Sequence, residues 1–126
     1  MAEDDNRRAV ERLYSLIGKQ DWTGAHDLFH QDYVQEWPQS GERIRGVDNS
    51  MAINQSYPDM PGVDVRRVLA SGDVVMAEVT LKYPKAGSYH GVSIFEFRDG
   101  KIVKQTDYFA QPFEAPEWRS KWVEKM

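Results

Sequence analysis

The residue with the clearest potential for chemistry is Asp107, a carboxylate within the β-prone run 102–110. A buried carboxylate must be hydrogen-bonded, paired with a charge, or protonated. The protonated state near neutral pH suits a general acid or base. We therefore take Asp107 as the candidate for proton transfer. The alternative is a structural carboxylate bonded to a tyrosine or to backbone N–H groups, and the sequence leaves it open.

The hairpin turn at Asp99-Gly100 sets the surroundings of Asp107. An Asp-Gly pair between two runs of β-prone residues is a strong signal for a two-residue turn. Strict alternation from that turn places Asp107 on one face with His90, Val92, Ile94, Gln105 and Phe109. His90 is then diagonal to Asp107, so we predict an Asp–His pair in which His90 orients or assists the carboxylate. A purely structural role for His90 is the alternative.

The elements that position these residues follow from the spacing of apolar side chains. Before residue 62 the spacing is mainly helical, and after it the period falls to two. The patterns predict helices at 5–18, 21–29 and 47–57, and strands at 32–38, 43–45, 63–69, 74–83, 89–98 and 102–110. Trp118 and Trp122 stand at helical spacing behind Pro116, which predicts a closing C-terminal helix.

This order of elements predicts an α+β fold in which the helices cover one face of a curved mixed or antiparallel sheet. The length of 126 residues suits one domain, residues 1–126. Both faces of the last hairpin carry apolar side chains, and the helices can cover only one of them. We therefore expect the other face to form a homodimer, with coverage by the C-terminal tail as the alternative.

Composition argues against several classes of function. The net charge is −4, which argues against a nucleic-acid or anionic-membrane surface because both need clustered Lys and Arg. The chain has no Cys, and it shows neither a targeting segment nor a long apolar run, so we expect a cytoplasmic protein. His26 and His30 are four residues apart but lack an evident third ligand, so we expect no metal site.

Two segments resemble a known family. The run SIFEFRDGKIVKQTDYFAQPFEAPEW is similar to the final hairpin of SnoaL-like polyketide cyclases and of limonene epoxide hydrolase, within the NTF2-like superfamily. The pattern F-x-x-D-Y-V-x-E-W-P followed by S-G-E-R-I-R-G resembles the first strand and the entry to the third helix. The resemblance implies a cone that encloses a pocket. It specifies activity weakly, because this superfamily contains enzymes, binding proteins and transport factors.

The resemblance carries over to single residues only in part. Asp107 falls where limonene epoxide hydrolase has a catalytic Asp, and SnoaL-like cyclases also use a pocket Asp. The Arg and second Asp of the hydrolase correspond to Val79 and Leu81 here. The functional positions of ketosteroid isomerase correspond to Trp37, Leu13 and Ser93. Neither of these two activities is therefore expected.

We thus predict a SnoaL-like enzyme that performs acid–base chemistry, without a cofactor, on a small hydrophobic substrate. Cyclisation, isomerisation or hydration would suit the site. Asp107 and His90 are the catalytic candidates, and the residues expected to bind substrate are Tyr14, Trp37, Val79, Leu81, Val92, Gln105 and Phe109. Whether Glu36 or its neighbour Trp37 faces the pocket stays open. The alternatives are a non-catalytic ligand-binding protein and an interaction domain that acts through its sheet face.

Overall fold

The computed structural model describes residues 2–126 and confirms the α+β class. In chain order the elements are α1 (Ala2–Gly18), α2 (Trp22–His26), β1 (Phe29–Trp37), β2 (Glu42–Arg45), α3 (Val47–Ser56), β3 (Gly62–Ser71), β4 (Val74–Tyr83), β5 (Gly87–Arg98), β6 (Lys101–Ala110) and a 3₁₀ helix (Glu117–Trp122). No helix within residues 2–126 is long and apolar enough to cross a membrane.

The strands form one six-stranded sheet in the order β2-β1-β6-β5-β4-β3. Neighbouring strands are antiparallel except β1 and β6, which run parallel. The last strand of the chain therefore lies between the first strand and the fifth. This mixed topology brings the middle of β6 beside the middle of β1.

The core lies between the helices and the face of the sheet that we call the inner face. Val10 and Leu13 of α1 are buried, as their helical spacing predicts. They belong to one cluster with inner-face residues such as Val75 and Phe95, both fully buried. Burying a large apolar side chain stabilises a fold by about 1.5–3 kcal/mol.

The hairpin between β5 and β6 forms at the predicted turn. Asp99 and Gly100 have φ angles of 53° and 76°. Positive φ at both central residues matches the right-handed twist of the flanking strands. Arg98 pairs with Lys101 and Phe97 with Ile102, as predicted.

A β-bulge at Val103 breaks the alternation that we predicted for β6. Phe97 pairs with Ile102, but Glu96 pairs with Lys104, so Val103 has no residue opposite it. One extra residue in a strand reverses the faces of all residues beyond it.

The bulge corrects the predicted surroundings of Asp107. Asp107 pairs directly with Ser93 and lies on the inner face. His90 and Val92 lie on the opposite face, which we call the outer face. The predicted pairing of Asp107 with His90, and the placement of Val92 beside it, are therefore wrong.

The outer face carries an apolar patch on its four C-terminal strands, β3 to β6. Its apolar members are Leu69, Val74, Met76, Val92, Ile94 and Tyr108. Leu69, Val74 and Tyr108 are exposed, and the other three are half-buried.

The closing C-terminal helix that the sequence predicted does not form. Only a six-residue 3₁₀ helix forms, and it contains no buried residue. Trp118 and Trp122 are 73% and 74% exposed. The prediction that these two rings pack a helix onto the domain is therefore wrong.

Candidate functional site

Asp107 is almost completely buried, with 3% of its surface exposed. Its Oδ1 accepts hydrogen bonds from Ser93 Oγ at 2.5 Å and from Gln105 Nε2 at 2.9 Å. Its Oδ2 accepts from Gln35 Nε2 at 2.6 Å and from Trp37 Nε1 at 2.9 Å. Each oxygen thus has two donors, and all four donors are neutral side chains.

The sheet topology explains how three strands supply these donors. In the parallel pair of β1 and β6, Gln35 lies opposite Gln105. Trp37 lies two residues beyond Gln35, so it shares the inner face. Ser93 reaches the same carboxylate from β5, opposite Asp107.

Glu36, between the two inward residues of β1, points to the outer face. It bonds to Arg43 at 2.8 Å and to Lys104 at 3.2 Å. The hydrogen bond from Arg43, followed by that from Lys104, lowers the pKa of Glu36 below its usual value. Of the two neighbours, Trp37 is therefore the one that faces the site.

A second layer of hydroxyl groups orients the two glutamine side chains. Ser50 Oγ donates to Gln35 Oε1 at 2.8 Å, and Tyr33 OH donates to Gln105 Oε1 at 3.1 Å. Because each amide oxygen accepts from a hydroxyl, each NH2 group is directed at Asp107. The network therefore aligns its dipoles towards one negative group.

Two buried tyrosines complete the surroundings. Burial raises the pKa of Tyr14, and the charge of Asp107 adds to that rise, while a hydrogen bond with Ser93 opposes it. Burial, again followed by the charge of Asp107, raises the pKa of Tyr33 well above its ordinary value. Both phenols are therefore neutral at neutral pH.

A cavity of about 140 Å³ opens beside this network. Its polar wall includes Asp107, Gln105, Gln35 and Trp37, and most of the remaining wall is apolar or aromatic. A cavity of about 150 Å³ is large enough for one benzene-sized ring. The space therefore suits a small cyclic or short-chain molecule with a polar group directed at Asp107.

The structure places most of the predicted binding residues around this cavity. Tyr14, Trp37, Leu81, Gln105 and Phe109 line it.

Val79 and Val92 are placed elsewhere. Val79 is on the inner face but lies in the packed core, 3% exposed, and it does not line the cavity. Val92 and the catalytic candidate His90 are on the outer face because of the bulge.

Four residues of the network were not predicted from the sequence: Tyr33, Gln35, Ser50 and Ser93. One of them had a visible signal. Ser93 is a small polar residue in line with Phe95 and Phe97, where alternation predicts an apolar side chain. Gln35, in contrast, has no neighbour in sequence that reveals its partner 72 residues away.

The histidines do not form a metal pair. His26 lies in α2 and contacts Asp48, with 3.1 Å between Nε2 and Oδ1, whereas His30 lies in β1. Within residues 2–126, no group of three or more His, Cys, Asp or Glu side chains is placed to hold a metal ion.

The arrangement can do two things chemically. A ligand that enters the cavity meets Asp107 together with the N–H groups of Trp37 and Gln105, so it can exchange hydrogen bonds with both acceptor and donors. A carboxylate in a site with apolar walls can also take up or release a proton while bulk water is excluded.

Solved structures of similar proteins match nearly the whole chain. An NTF-2 like protein of unknown function from Burkholderia xenovorans LB400 is 38% identical, with a TM-score of 0.86 over 100% of this chain and 98% of that one. A putative ketosteroid isomerase from Kribbella flavida is 27% identical, with a TM-score of 0.92 over 98% and 91%. An LEH-like epoxide hydrolase from M. tuberculosis is 25% identical, with a TM-score of 0.73 over 86% and 85%.

Among curated proteins, none matches this chain. The family model of the SnoaL-like domain matches residues 10–105, which include α1 after its first turns, α2, α3, β1 to β5 and the first half of β6. Together with the NTF2-like architecture of its solved relatives, this match shows that the chain belongs to the SnoaL-like domain family and has the NTF2-like α+β cone fold.

Proposed function

We propose that this protein is a cofactor-independent enzyme that binds a small hydrophobic molecule beside Asp107 and uses that carboxylate as an acid–base group. The observation that supports the proposal is a buried carboxylate in the wall of an otherwise mainly apolar cavity. His90 has no part in it, because it lies on the other side of the sheet.

The proposed chemistry is transfer of a proton between the substrate and Asp107. The apolar walls would hold the substrate close to the carboxylate and exclude water. Isomerisation, cyclisation and hydration are reaction classes that need such a group. Protonation of Asp107 requires one donor to turn away. The Ser93 hydroxyl suits this role, because it can rotate and accept a hydrogen bond instead of donating one.

The Arg–Asp pair that limonene epoxide hydrolase adds to its catalytic Asp has no counterpart here. Val79 and Leu81 occupy the corresponding positions in β4, and both are buried and apolar. The proposal therefore favours proton transfer at carbon or oxygen over opening of an epoxide by that mechanism.

The proposal is tested with a single-ring probe. Conversion of 3-cyclohexenone to its conjugated isomer is followed by ultraviolet absorbance, and binding of cyclohexanone is followed by calorimetry. We expect Asp107→Asn to lower kcat by at least about 100-fold, in line with the contribution of a general acid or base, and to keep cyclohexanone affinity within a few-fold. Asp64→Asn, at a carboxylate that is 60% exposed, is the matched control and should change neither. Full turnover in Asp107→Asn would reject the acid–base role.

A second candidate, ligand binding without catalysis, is favoured by a different observation. Each oxygen of Asp107 already accepts hydrogen bonds from two neighbouring side chains. A carboxylate held in this way can serve as a fixed anchor for the site. Binding of cyclohexanone by the wild-type protein without any turnover of 3-cyclohexenone would support this candidate over the first.

We also propose that the outer face forms a homodimer. The exposed side chains of Leu69, Val74 and Tyr108 support this, because large apolar patches on a sheet face mark interaction sites. Sedimentation equilibrium should give a dimer for the wild-type protein and a monomer for Tyr108→Glu. Lys85→Glu, in the turn before β5, is the control and should remain dimeric. A wild-type protein that is monomeric throughout would reject this proposal.

A further inference from the structure

The last sixteen residues, which we call the C-terminal arm (residues 111–126), carry large apolar side chains that their own domain does not bury. Phe113 is 81% exposed, and Trp118 and Trp122 are 73% and 74% exposed. Isolated exposed apolar residues are common, but three large aromatic rings within ten residues form an unusual group. The arm therefore has the composition of a contact surface.

The arm nevertheless has a defined course. A six-residue 3₁₀ helix has too few hydrogen bonds to be stable alone. The Kribbella flavida relative has a TM-score of 0.92 over 98% of this chain. That score cannot be reached if the whole arm, about an eighth of the chain, follows a different path, so at least part of the arm superposes as well. Contacts between the arm and another molecule would explain why the arm follows a fixed path.

We propose that the C-terminal arm packs against a second copy of this chain, at the margin of the outer face. The arm leaves β6 at Ala110, two residues after Tyr108, so it starts beside the apolar patch. Two sheets that stack face to face lie about 10 Å apart. Sixteen residues can span up to roughly 50 Å when extended, so each arm can reach across to its partner.

The area that the arm can bury agrees with what a stable dimer needs. A buried aromatic side chain covers about 150–250 Å². Because about a quarter of the surface of Phe113, Trp118 and Trp122 is already buried, they can contribute roughly 340–570 Å² per copy. A typical stable interface buries about 800 Å² per partner. The arm and the exposed patch of Leu69, Val74 and Tyr108 together reach that size.

The first experiment measures dimer dissociation by sedimentation equilibrium. We expect the double variant Trp118→Ala/Trp122→Ala to raise the dissociation constant at least 30-fold, because large rings at interface centres dominate affinity. Arg119→Ala/Lys121→Ala changes the same helix without removing a tryptophan and should change the constant less than 3-fold. Circular dichroism checks that each variant keeps its fold. These four side chains belong to a helix that buries no residue, so we expect the domain to remain folded.

The second experiment locates the arm by acrylamide quenching of tryptophan fluorescence. The difference between the wild-type protein and Trp118→Phe/Trp122→Phe isolates the arm from Trp22 and Trp37. We expect the arm signal to be shielded above the dissociation constant and accessible after dilution below it. Shielding that persists in the monomer would show that the arm folds onto its own chain, and this outcome would overturn the proposal.

Two further outcomes would also overturn it. One is a dissociation constant that does not change in Trp118→Ala/Trp122→Ala. The other is a shift of the arm signal only when vesicles of phosphatidylcholine and phosphatidylserine are added, which would identify a lipid surface as the partner. The proposal rests on the dimer proposed above, but the two fail differently: an unchanged dimer rejects the arm contact alone, and a monomeric wild-type protein rejects both.

Discussion

Replacement of Asp107 by Asn should destabilise the protein, although the two side chains have nearly the same shape. Each oxygen of Asp107 accepts two hydrogen bonds, so the amide NH2 group must face two donors in either orientation. The indole N–H of Trp37 can only donate, whereas the Ser93 hydroxyl can rotate and accept. The new NH2 group should therefore face Ser93 and Gln105.

The magnitude follows from the bond that is lost. The NH2 group of Gln105 loses its acceptor and cannot be exchanged for its carbonyl, because that oxygen already accepts from Tyr33. A buried donor without an acceptor costs about 1–3 kcal/mol. The remaining bonds also lose the negative charge that strengthens them. Asn carries no charge, so the variant no longer has the cost of burying a carboxylate, and this effect raises the stability. We therefore expect a net loss of about 2 kcal/mol.

The assay is unfolding in urea followed by far-ultraviolet circular dichroism. For a slope of about 2 kcal/mol per molar urea, the midpoint should fall by about 1 M. Ser93→Ala removes one of the four donors and should cost less. Asp64→Asn removes only an exposed ion pair with Lys82 and should shift the midpoint far less. An Asp107→Asn variant as stable as the wild type would refute the reasoning, because it would mean that the four bonds do not depend on the carboxylate.

Three other predictions follow from the same structure. Burial raises the pKa values of Tyr14 and Tyr33, so the unfolded chain releases these protons near pH 10 while the folded protein retains them. The contribution of these two tyrosines to the free energy of unfolding should be fully present below about pH 10. Above that pH it should fall by up to about 1.4 kcal/mol per pH unit for each tyrosine. Urea midpoints measured between about pH 8 and 11 test this, and Tyr33→Phe should reduce the slope. Gly91→Ala should cost about 1–3 kcal/mol in the same assay, because the added Cβ would lie 2.9 Å from Val79 Cγ2. Deletion of Val103 removes the one residue of β6 that has no residue opposite it in β5, so the remaining pairs keep their partners and Asp107 stays on the inner face; the variant should therefore keep a cooperative unfolding transition, and loss of that transition would show that the sheet needs the bulge itself.

Local signals in the sequence predicted much of the fold. The Asp99-Gly100 turn, the four strands after residue 62 and the helices α1 and α3 form close to where their patterns indicated. These features depend on neighbours in sequence, on residues that permit positive φ, and on periodicity.

His90 and Val92 were predicted on the wrong face because the β-bulge at Val103 has no signal in the neighbouring sequence. Val103 is a good strand residue, and nothing beside it indicates a bulge. The bulge occurs where β6 meets β1: Ile102 N donates to Leu28 O at 3.0 Å, and Ile102 also pairs with Phe29. A contact between residues more than 70 positions apart thus sets the register. Asp107 was identified correctly as the buried carboxylate, whereas His90 and Val92 were placed on the wrong face.

The position of β6 in the sheet has a consequence for the order of folding. Gln35 and Trp37 bond to a carboxylate that lies 72 and 70 residues later in the chain. During synthesis, the inward amide and indole of β1 therefore remain without their acceptor until β6 has emerged. Contacts between distant residues slow folding, and unpaired strand edges favour aggregation in the meantime. A nascent chain stalled before residue 101 should accordingly expose β1 and depend on chaperones, whereas release of residues 101–110 would complete the sheet and the cavity in one step.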